Sequence, residues 1–276
     1  MNALRMDHIA HRCKHSAPDH GRRPPAHEPL EWLNAGLRHR WTVCVTRTGD
    51  RPMGTLPDVD PEHLKSLPIF PLSGVVFFPN TLLPLHIFEP RYRAMVAFCI
   101  EHGWPLAMVM IQPGYEAQHL GAPPVSEVGC VGDLIHHERL PDGRYHIILR
   151  GLSRIAIEEE LDEGTPYRLV RARPLLDVAL TETTEASLED KMASIQACLT
   201  TLGYKRPDVA EPLMRLAKHI EAPSILTHVW GAALFVEVQE RQALLSCPRV
   251  EERAEMVLGR LTELLVEEMD SGGTLH

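Results

Sequence analysis

Two hydrophobic periods divide the chain. Between about residues 64 and 176, short apolar runs are interrupted by proline and glycine, a pattern typical of β-strands. The sequence predicts strands at 69–70, 75–78 and 106–111. It also predicts one inserted helix, because Pro90 suits the first turn of a helix and Gly103 suits the position just after the last turn.

A hairpin is predicted in the middle of this β region. Residues 131–140 lead into Pro141-Asp142-Gly143, and 144–149 return. Proline fixes φ, aspartate bonds the local backbone, and glycine accepts a positive φ, so this tripeptide favours a tight turn. A bend at Gly151 is then followed by alternating segments at 153–159 and 167–175. Together the segments predict a small bent barrel or two packed sheets.

After about residue 183 the apolar positions recur at helical spacing, which predicts a C-terminal helical bundle. Four stripes are present: Leu188, Met192, Ile195, Leu199 and Leu202; Val209, Leu213, Leu216 and Ile220; Ile225, Val229, Ala233 and Val236; and Val250, Ala254, Val257, Leu258, Leu261, Leu264 and Leu265. Cys247-Pro248 precedes the last helix, and residues 270–273 are expected to end it. The predicted fold class is therefore α+β.

The first 62 residues differ from the rest in having many prolines, six of the 16 histidines and little sustained periodicity. This composition predicts an extension at 1–62 that is disordered or loosely packed. Within it, Trp32, Leu33, Leu37 and Trp41 fit one stripe of a short helix, and Met53 is a candidate for the true start. The predicted divisions are thus 1–62, a β domain at 63–180 and a helical bundle at 181–270.

Charge and composition narrow the classes of partner. Residues 1–52 carry nine Lys/Arg and five Asp/Glu, whereas 53–276 carry 19 and 32. This negative balance disfavours a nucleic-acid partner. The chain has neither a long apolar stretch nor an apolar leader segment, so we expect no membrane partner and a cytoplasmic location. Its six cysteines form no CxxC pair, which argues against a zinc or redox centre, and no cofactor is expected.

Two longer segments resemble a known family. PLSGVVFFPNTLLPLHIFEPRYRAMV (71–96) is similar to the opening of the Lon N-terminal, or substrate-binding, domain, especially in its stand-alone bacterial form. VGCVGDLIHHERLPDGRYHIILRGLSRIAI (128–157) resembles the central hairpin of that domain, and the helical tail is similar as well. The resemblance covers about 66–268 and implies a PUA-like β pseudo-barrel followed by a helical bundle.

The same resemblance implies a non-catalytic role in holding unfolded or extended polypeptides. The ATPase and peptidase modules of Lon proteases have no counterpart here, since the chain lacks a GxxxxGK[ST] loop and a recognisable Ser–Lys dyad. Whether the module acts alone, as a homo-oligomer or as an adaptor for a separate protease stays open. The alternative from another class is a small hydrolase with a site between barrel and bundle.

Five residues near the first helix are candidates for contacting a polypeptide partner. Phenylalanine, tyrosine and arginine often anchor interfaces, and the candidates are Phe78, His86, Phe88, Arg91 and Tyr92. Glu89 and Arg93 lie four residues apart and are expected to form an ion pair at the start of this helix.

Two further clusters invite chemical interpretations that the sequence does not favour. His136 and Glu138 would share one face of a strand and His137 the other, so no metal site is expected. The acidic run of Glu158, Glu159, Glu160, Asp162 and Glu163 is predicted to be a solvated strand edge that discourages strand pairing.

Overall fold

The computed structural model describes residues 59–118, 121–218 and 220–272. Most of the predicted extension at 1–62, including the stripe from Trp32 to Trp41 and the candidate start at Met53, lies outside these residues. The described part contains six strands with one helix, α1, between the second and the third, and five more helices follow the last strand. The strands are β1 (Leu67–Leu72), β2 (Leu82–Ile87), β3 (Leu106–Met110), β4 (Val128–Arg139), β5 (Tyr145–Leu161) and β6 (Arg168–Pro174). The helices are α1 (Pro90–His102), α2 (Glu182–Lys205), α3 (Pro207–Ala217), α4 (Pro223–Leu234), α5 (Val238–Ser246) and α6 (Val250–Gly272).

Five of the strands close on themselves. The sheet order is β2-β5-β4-β3-β1-β6, and β6 pairs with β5 as well as with β1. This closure makes a strand ring of β1, β3, β4, β5 and β6, with β2 attached to the outside of β5. The β1–β3 pair is parallel and the other pairs are antiparallel. The predicted α+β class, with a bent pseudo-barrel, one inserted helix and a helical bundle, is confirmed.

Strand β5 connects the parts of this sheet. Along one side it pairs with β4. Along the other side it pairs first with β2, over Tyr145 to Arg150, and then with β6, from Ile155 onward. The predicted bend at Gly151 falls between these two pairings, although the strand continues through it. A single long strand therefore serves both the ring and its outer attachment.

The local signals for α1 and for the hairpin are confirmed. Helix α1 begins at Pro90 and ends against Gly103, whose φ of 64° is left-handed. In the β4–β5 turn, the N–H of Leu140 donates to the carbonyl of Arg144 at 2.8 Å, and Gly143 has a φ of 81°. Both features need a backbone conformation that glycine adopts without strain.

The strand predicted at 75–78 is wrong. This segment has no ladder partner, and Val76 and Phe78 pack instead into the core formed by the C-terminal helices. The chain then turns at Asn80, with a φ of 61°, and enters β2 at Leu82. Burial against helices produces the same apolar run as burial in a sheet, which explains the error.

Five helices follow β6 where the periodicity predicts four. Stripes 1 and 4 coincide with α2 and α6, and stripe 2 coincides with α3 except for Ile220, which lies beyond the helix end at Ala217. The third stripe begins α4 at Pro223 as expected. Val236, assigned to that third stripe, lies beyond α4 and is 78% exposed. The additional helix is α5, whose buried residues include Arg241 beside Leu244 and Leu245.

The ring and the bundle share buried surface. One hydrophobic cluster consists mainly of residues from the strand ring, including Leu67, Ile69 and Ile155. A second and larger cluster consists mainly of helical residues but also contains Val76, Phe78 and Met110 from the β region. The strand-to-helix change occurs between Pro174 and the start of α2, near the boundary predicted at 180 and 181.

Candidate functional site

Among the residues that the structure describes, strand β2 has a strand partner on one side only. Within the described sheet it pairs with β5 alone. Pro84 has no N–H and must turn that position away from β5, because a proline inside a sheet is tolerated only on the unpaired side. Backbone directions alternate along a strand, so Leu82 and His86 also turn their N–H and C=O groups outward. We call this outward side, together with the ring of Phe88, the β2 edge.

An exposed aromatic ring lies at the end of the β2 edge. Phe88 is 60% exposed, in the short connection between β2 and α1. Its ring stacks beside that of His86, with centroids 6.2 Å apart, and both His86 and Pro84 are exposed. Among the described strands, the β2 edge therefore combines outward backbone groups that no other strand pairs with and an apolar anchor.

Two of the five predicted partner-binding residues lie inside the protein. Phe78 is 1% exposed and belongs to the helical core, while Tyr92 is 4% exposed and packs on Phe70 at 4.1 Å between ring centroids. Burial also raises the pKa of Tyr92. Because both rings are buried, a partner on the protein surface would contact the residues around them and not the rings.

Arg91 is held in place by several groups. Its Nε donates to Glu89 Oε2 at 3.0 Å, Nη1 donates to the carbonyl of Gly121 at 3.1 Å, and the guanidinium lies 4.5 Å from the centroid of Tyr92. The predicted Glu89–Arg93 pair is therefore wrong, because Glu89 precedes the helix and pairs with Arg91 instead. The guanidinium of Arg93 lies against the hairpin turn at Gly143.

Ionisable side chains surround His86 on the same face of the sheet. Arg144 Nη1 lies 3.2 Å from His86 Nε2, and the ring of His146 lies 4.8 Å from that of His86 between centroids. Because a guanidinium can only donate, Nε2 accepts, and this arrangement favours neutral His86. Desolvation, followed by the charges of His146 and Arg144, lowers the pKa of His86.

The histidines of β4 are placed as solvent-facing groups. His136, His137 and Glu138 are all exposed, and Glu138 Oε2 lies 3.8 Å from Nδ1 of His146. In the part of the chain that the structure describes, no group of three or more His, Cys, Asp or Glu side chains is arranged to hold a metal ion.

The acidic run is not a free strand edge. The end of β5 pairs with β6, and its carboxylates are matched by arginines from that strand. Three pairs follow one another: Glu158 with Arg173, Glu159 with Arg171, and Glu160 with Arg168. Glu158, Glu159 and Glu160 are exposed to solvent as predicted, but the prediction that they form a strand edge is wrong, because β6, which comes later in the sequence, pairs with this part of β5.

The junction between the strand ring and the helical bundle, where the alternative hydrolase site was placed, contains two buried arginines that share one partly exposed carboxylate. Asp177 accepts from Arg154 of β5 and from Arg253 of α6, each at 2.6 Å. Arg154 and Arg253 are 3% and 0% exposed, and desolvation, followed by repulsion from Arg253, lowers the pKa of Arg154 to about 10.

Nearby polar groups do not complete a hydrolytic arrangement. The Thr227 hydroxyl accepts from Arg253 and donates to the carbonyl of Ser224, while His228 Nε2 is buried without a hydrogen-bond partner. Burial and the two arginines lower the pKa of His228 well below its usual value. Among the described residues here, no hydroxyl or thiol is hydrogen-bonded to a histidine.

No helix among the described residues has the length and apolar character needed to cross a lipid bilayer.

Comparison with known proteins gives a consistent result. The family described as the ATP-dependent protease La (LON) substrate-binding domain matches residues 66–263. A Lon protease of Chloroflexus aurantiacus is 28% identical over 214 residues, which cover 78% of this chain and 25% of that protein. A Lon protease of Cytophaga hutchinsonii is 24% identical over 202 residues, covering 73% of this chain and 24% of that protein.

A solved structure has the same fold. The N-terminal domain of the Mycobacterium avium complex Lon protease superposes with a TM-score of 0.56 at 17% identity, covering 72% of this chain and 98% of that domain. The chain spans about a quarter of the length of the curated relatives it matches. This chain therefore belongs to the family of the ATP-dependent protease La (LON) substrate-binding domain.

Proposed function

We propose that this chain is a non-catalytic protein-binding module that takes short, extended segments of other polypeptides along the β2 edge. The observation that carries the proposal is the side of β2 that no other described strand pairs with, where the outward backbone of Leu82, Pro84 and His86 ends beside the exposed ring of Phe88. An extended segment can add to such an edge as a further strand.

The backbone of the β2 edge limits how tightly a segment would be held. Leu82 and His86 each offer an outward N–H and C=O, and Pro84 offers only C=O. Each backbone hydrogen bond contributes about 0.5–1.5 kcal/mol net. We therefore expect weak binding that tolerates many sequences, with Phe88 as the main side-chain anchor. Pro84 also limits how far pairing can extend along the edge.

The family supports a polypeptide ligand. The matching part of the relatives is described as the substrate-binding domain of a protease, and the relatives themselves are Lon proteases. A module that holds polypeptides alone and one that serves as an adaptor for a separate protease would both use the β2 edge. Binding at the β2 edge is therefore the first property to test.

The test compares a reduced, carboxymethylated model protein with its folded form, using fluorescence anisotropy. We expect the unfolded form alone to bind, because it supplies free extended segments. Phe88→Ser should weaken binding about five-fold or more, as for an aromatic anchor. Leu82→Pro should weaken it about five-fold, because one outward donor worth about 1 kcal/mol is lost.

Val236→Ser is the matched control. Val236 is another exposed apolar residue, in the connection between α4 and α5. We expect this variant to bind like the parent protein. Equal binding of the folded and unfolded model proteins would overturn the proposal, and so would equal losses in Phe88→Ser and Val236→Ser.

A further inference from the structure

On the face of the sheet that carries the His86 side chain, ionisable side chains form a row across three strands. His86 of β2 lies opposite His146 of β5, which lies opposite Glu138 of β4. Arg144 contacts His86 from the hairpin turn at 3.2 Å. A residue added to the outer side of β2, opposite His86, would place its side chain on this same face. Its nearest ionisable neighbours would be His86 and Arg144.

The fixed charges around His86 nearly cancel when its imidazole is neutral. Arg144 is paired with Asp142, whose two carboxylate oxygens accept from its backbone N–H at 3.0 Å and its Nε at 2.6 Å. Arg93 reaches the same turn from α1, and Glu138 supplies a second negative charge from β4. The balance therefore depends on whether His86 carries a second ring proton.

Protonation changes this balance in one direction. An imidazole ordinarily gains its second ring proton near pH 6.5, and protonation of His86 adds one positive charge beside Arg144. Desolvation and the neighbouring His146 and Arg144 lower the pKa of His86, so its charge develops at more acidic pH in the free protein. An opposite charge placed beside His86 would favour its protonated form.

Resting on the proposed function, we propose that the β2 edge selects segments with an acidic side chain opposite His86, and that this selection strengthens as the solution becomes mildly acidic. Glutamate or aspartate at that position would meet a positive His86 backed by Arg144. Lysine or arginine at the same position would be repelled. The module would thus discriminate between segments by the charge of one side chain, in a contact that otherwise tolerates many sequences.

The experiment uses the full chain and a ten-residue peptide of alternating Thr and Val, in which one central Thr is replaced by Glu, Gln or Lys. Affinities are measured at pH 7.5 and 5.5 and at low ionic strength. At pH 5.5 we expect the Glu peptide to bind roughly two- to five-fold more tightly than the Gln peptide, as for an exposed charge pair. The Lys peptide should bind more weakly than the Gln peptide, and all three should converge at pH 7.5.

Variants assign the effect to His86. His86→Gln should lose the discrimination between the Glu, Gln and Lys peptides at pH 5.5. The control is His102→Gln, an exposed histidine at the far end of α1, which should keep the discrimination. As an independent readout, the NMR titration of the His86 ring should shift to higher pH when the Glu peptide is added.

The two proposals fail in different ways. If the Gln peptide binds at the β2 edge but the three peptides never separate, the charge selection is overturned and the proposed function stands. A preference that survives in His86→Gln would also overturn it. If no peptide and no unfolded protein binds at either pH, the proposed function fails and takes the selection with it.

Discussion

At the residue scale, Gly151 shows how one small side chain lets two segments meet. A Cβ at this position would lie 2.1 Å from the carbonyl oxygen of Phe78 and 3.1 Å from Cα of Pro79. Two backbone hydrogen bonds hold the two segments at this distance. The N–H of Asn80 donates to the carbonyl of Gly151, and the N–H of Gly151 donates to the carbonyl of Thr81, each at 2.9 Å.

We therefore expect Gly151→Ala to lower the free energy of unfolding by about 1–3 kcal/mol, the usual cost of overpacking a close contact. Urea denaturation followed by circular dichroism measures it. Gly259→Ala is the control, because Gly259 lies within α6 with nothing within 4 Å of its missing Cβ. That variant should gain roughly 0.5–1 kcal/mol from helix propensity. Similar effects in both variants would contradict the assigned role of Gly151.

Residue type predicted the candidate site only in part. Phe78, Phe88 and Tyr92 are all aromatic neighbours of one segment, yet only Phe88 is exposed. The difference comes from tertiary packing: Phe78 meets the C-terminal helices and Tyr92 meets β1, and neither partner is close in sequence. The location of His86 beside Arg144 likewise depends on strand register across 58 residues.

At the element scale, elements with strong local signals were predicted and those set by distant partners were not. Pro90 and Gly103 define α1, and Pro141-Asp142-Gly143 defines the hairpin, because each acts on its own backbone. β2 was missed because Pro84 argues against a strand, although Leu83 and Ile87 alternate inward with exposed neighbours. α5 was missed because a buried arginine interrupts its apolar stripe.

The connection between β6 and α2 contains the residue that links the strand ring to the helical bundle. Asp177 lies in this connection and bonds guanidinium groups from both parts, Arg154 of β5 and Arg253 of α6. The same two arginines also donate to the carbonyl of Cys247, before α6. Two buried cations therefore depend on one carboxylate and a few carbonyl oxygens.

Removing the charge of Asp177 should be costly. We expect Asp177→Asn to lower the free energy of unfolding by about 3–5 kcal/mol, because buried guanidinium groups would lose their counter-charge. Chemical denaturation measures the loss. Glu159→Gln is the comparison, since it removes a carboxylate from an exposed cross-strand pair with Arg171 and should cost no more than about 1 kcal/mol. Equal costs would show that burial of the network contributes little.

At the scale of the whole molecule, ring and bundle are joined by a shared core. Val76, Phe78 and Met110 come from the β region but are buried among helical side chains. Removing the helices would expose these residues to water together with Arg154. The strand-to-helix change in sequence thus does not coincide with a boundary in the core.

We accordingly expect the segment 63–180 alone not to reach the native state, whereas the full chain unfolds in one transition by circular dichroism and tryptophan fluorescence. The amide proton–nitrogen spectrum of the fragment should lack native dispersion, because its apolar surface toward the bundle is unsatisfied. A fragment with native-like resonances would instead identify the β region as a domain that folds independently.

The course of β5 has a mechanical consequence. The strand begins beside β2, continues through Gly151 and reaches Arg154, which is bonded to the carbonyls of Leu245 and Cys247 at the helical end. A pulling force on a chain held at the β2 edge would load the β2–β5 ladder along its length, so that its hydrogen bonds share the tension in shear rather than open one at a time. The load would pass through β5 to the bundle, which would serve as the anchor.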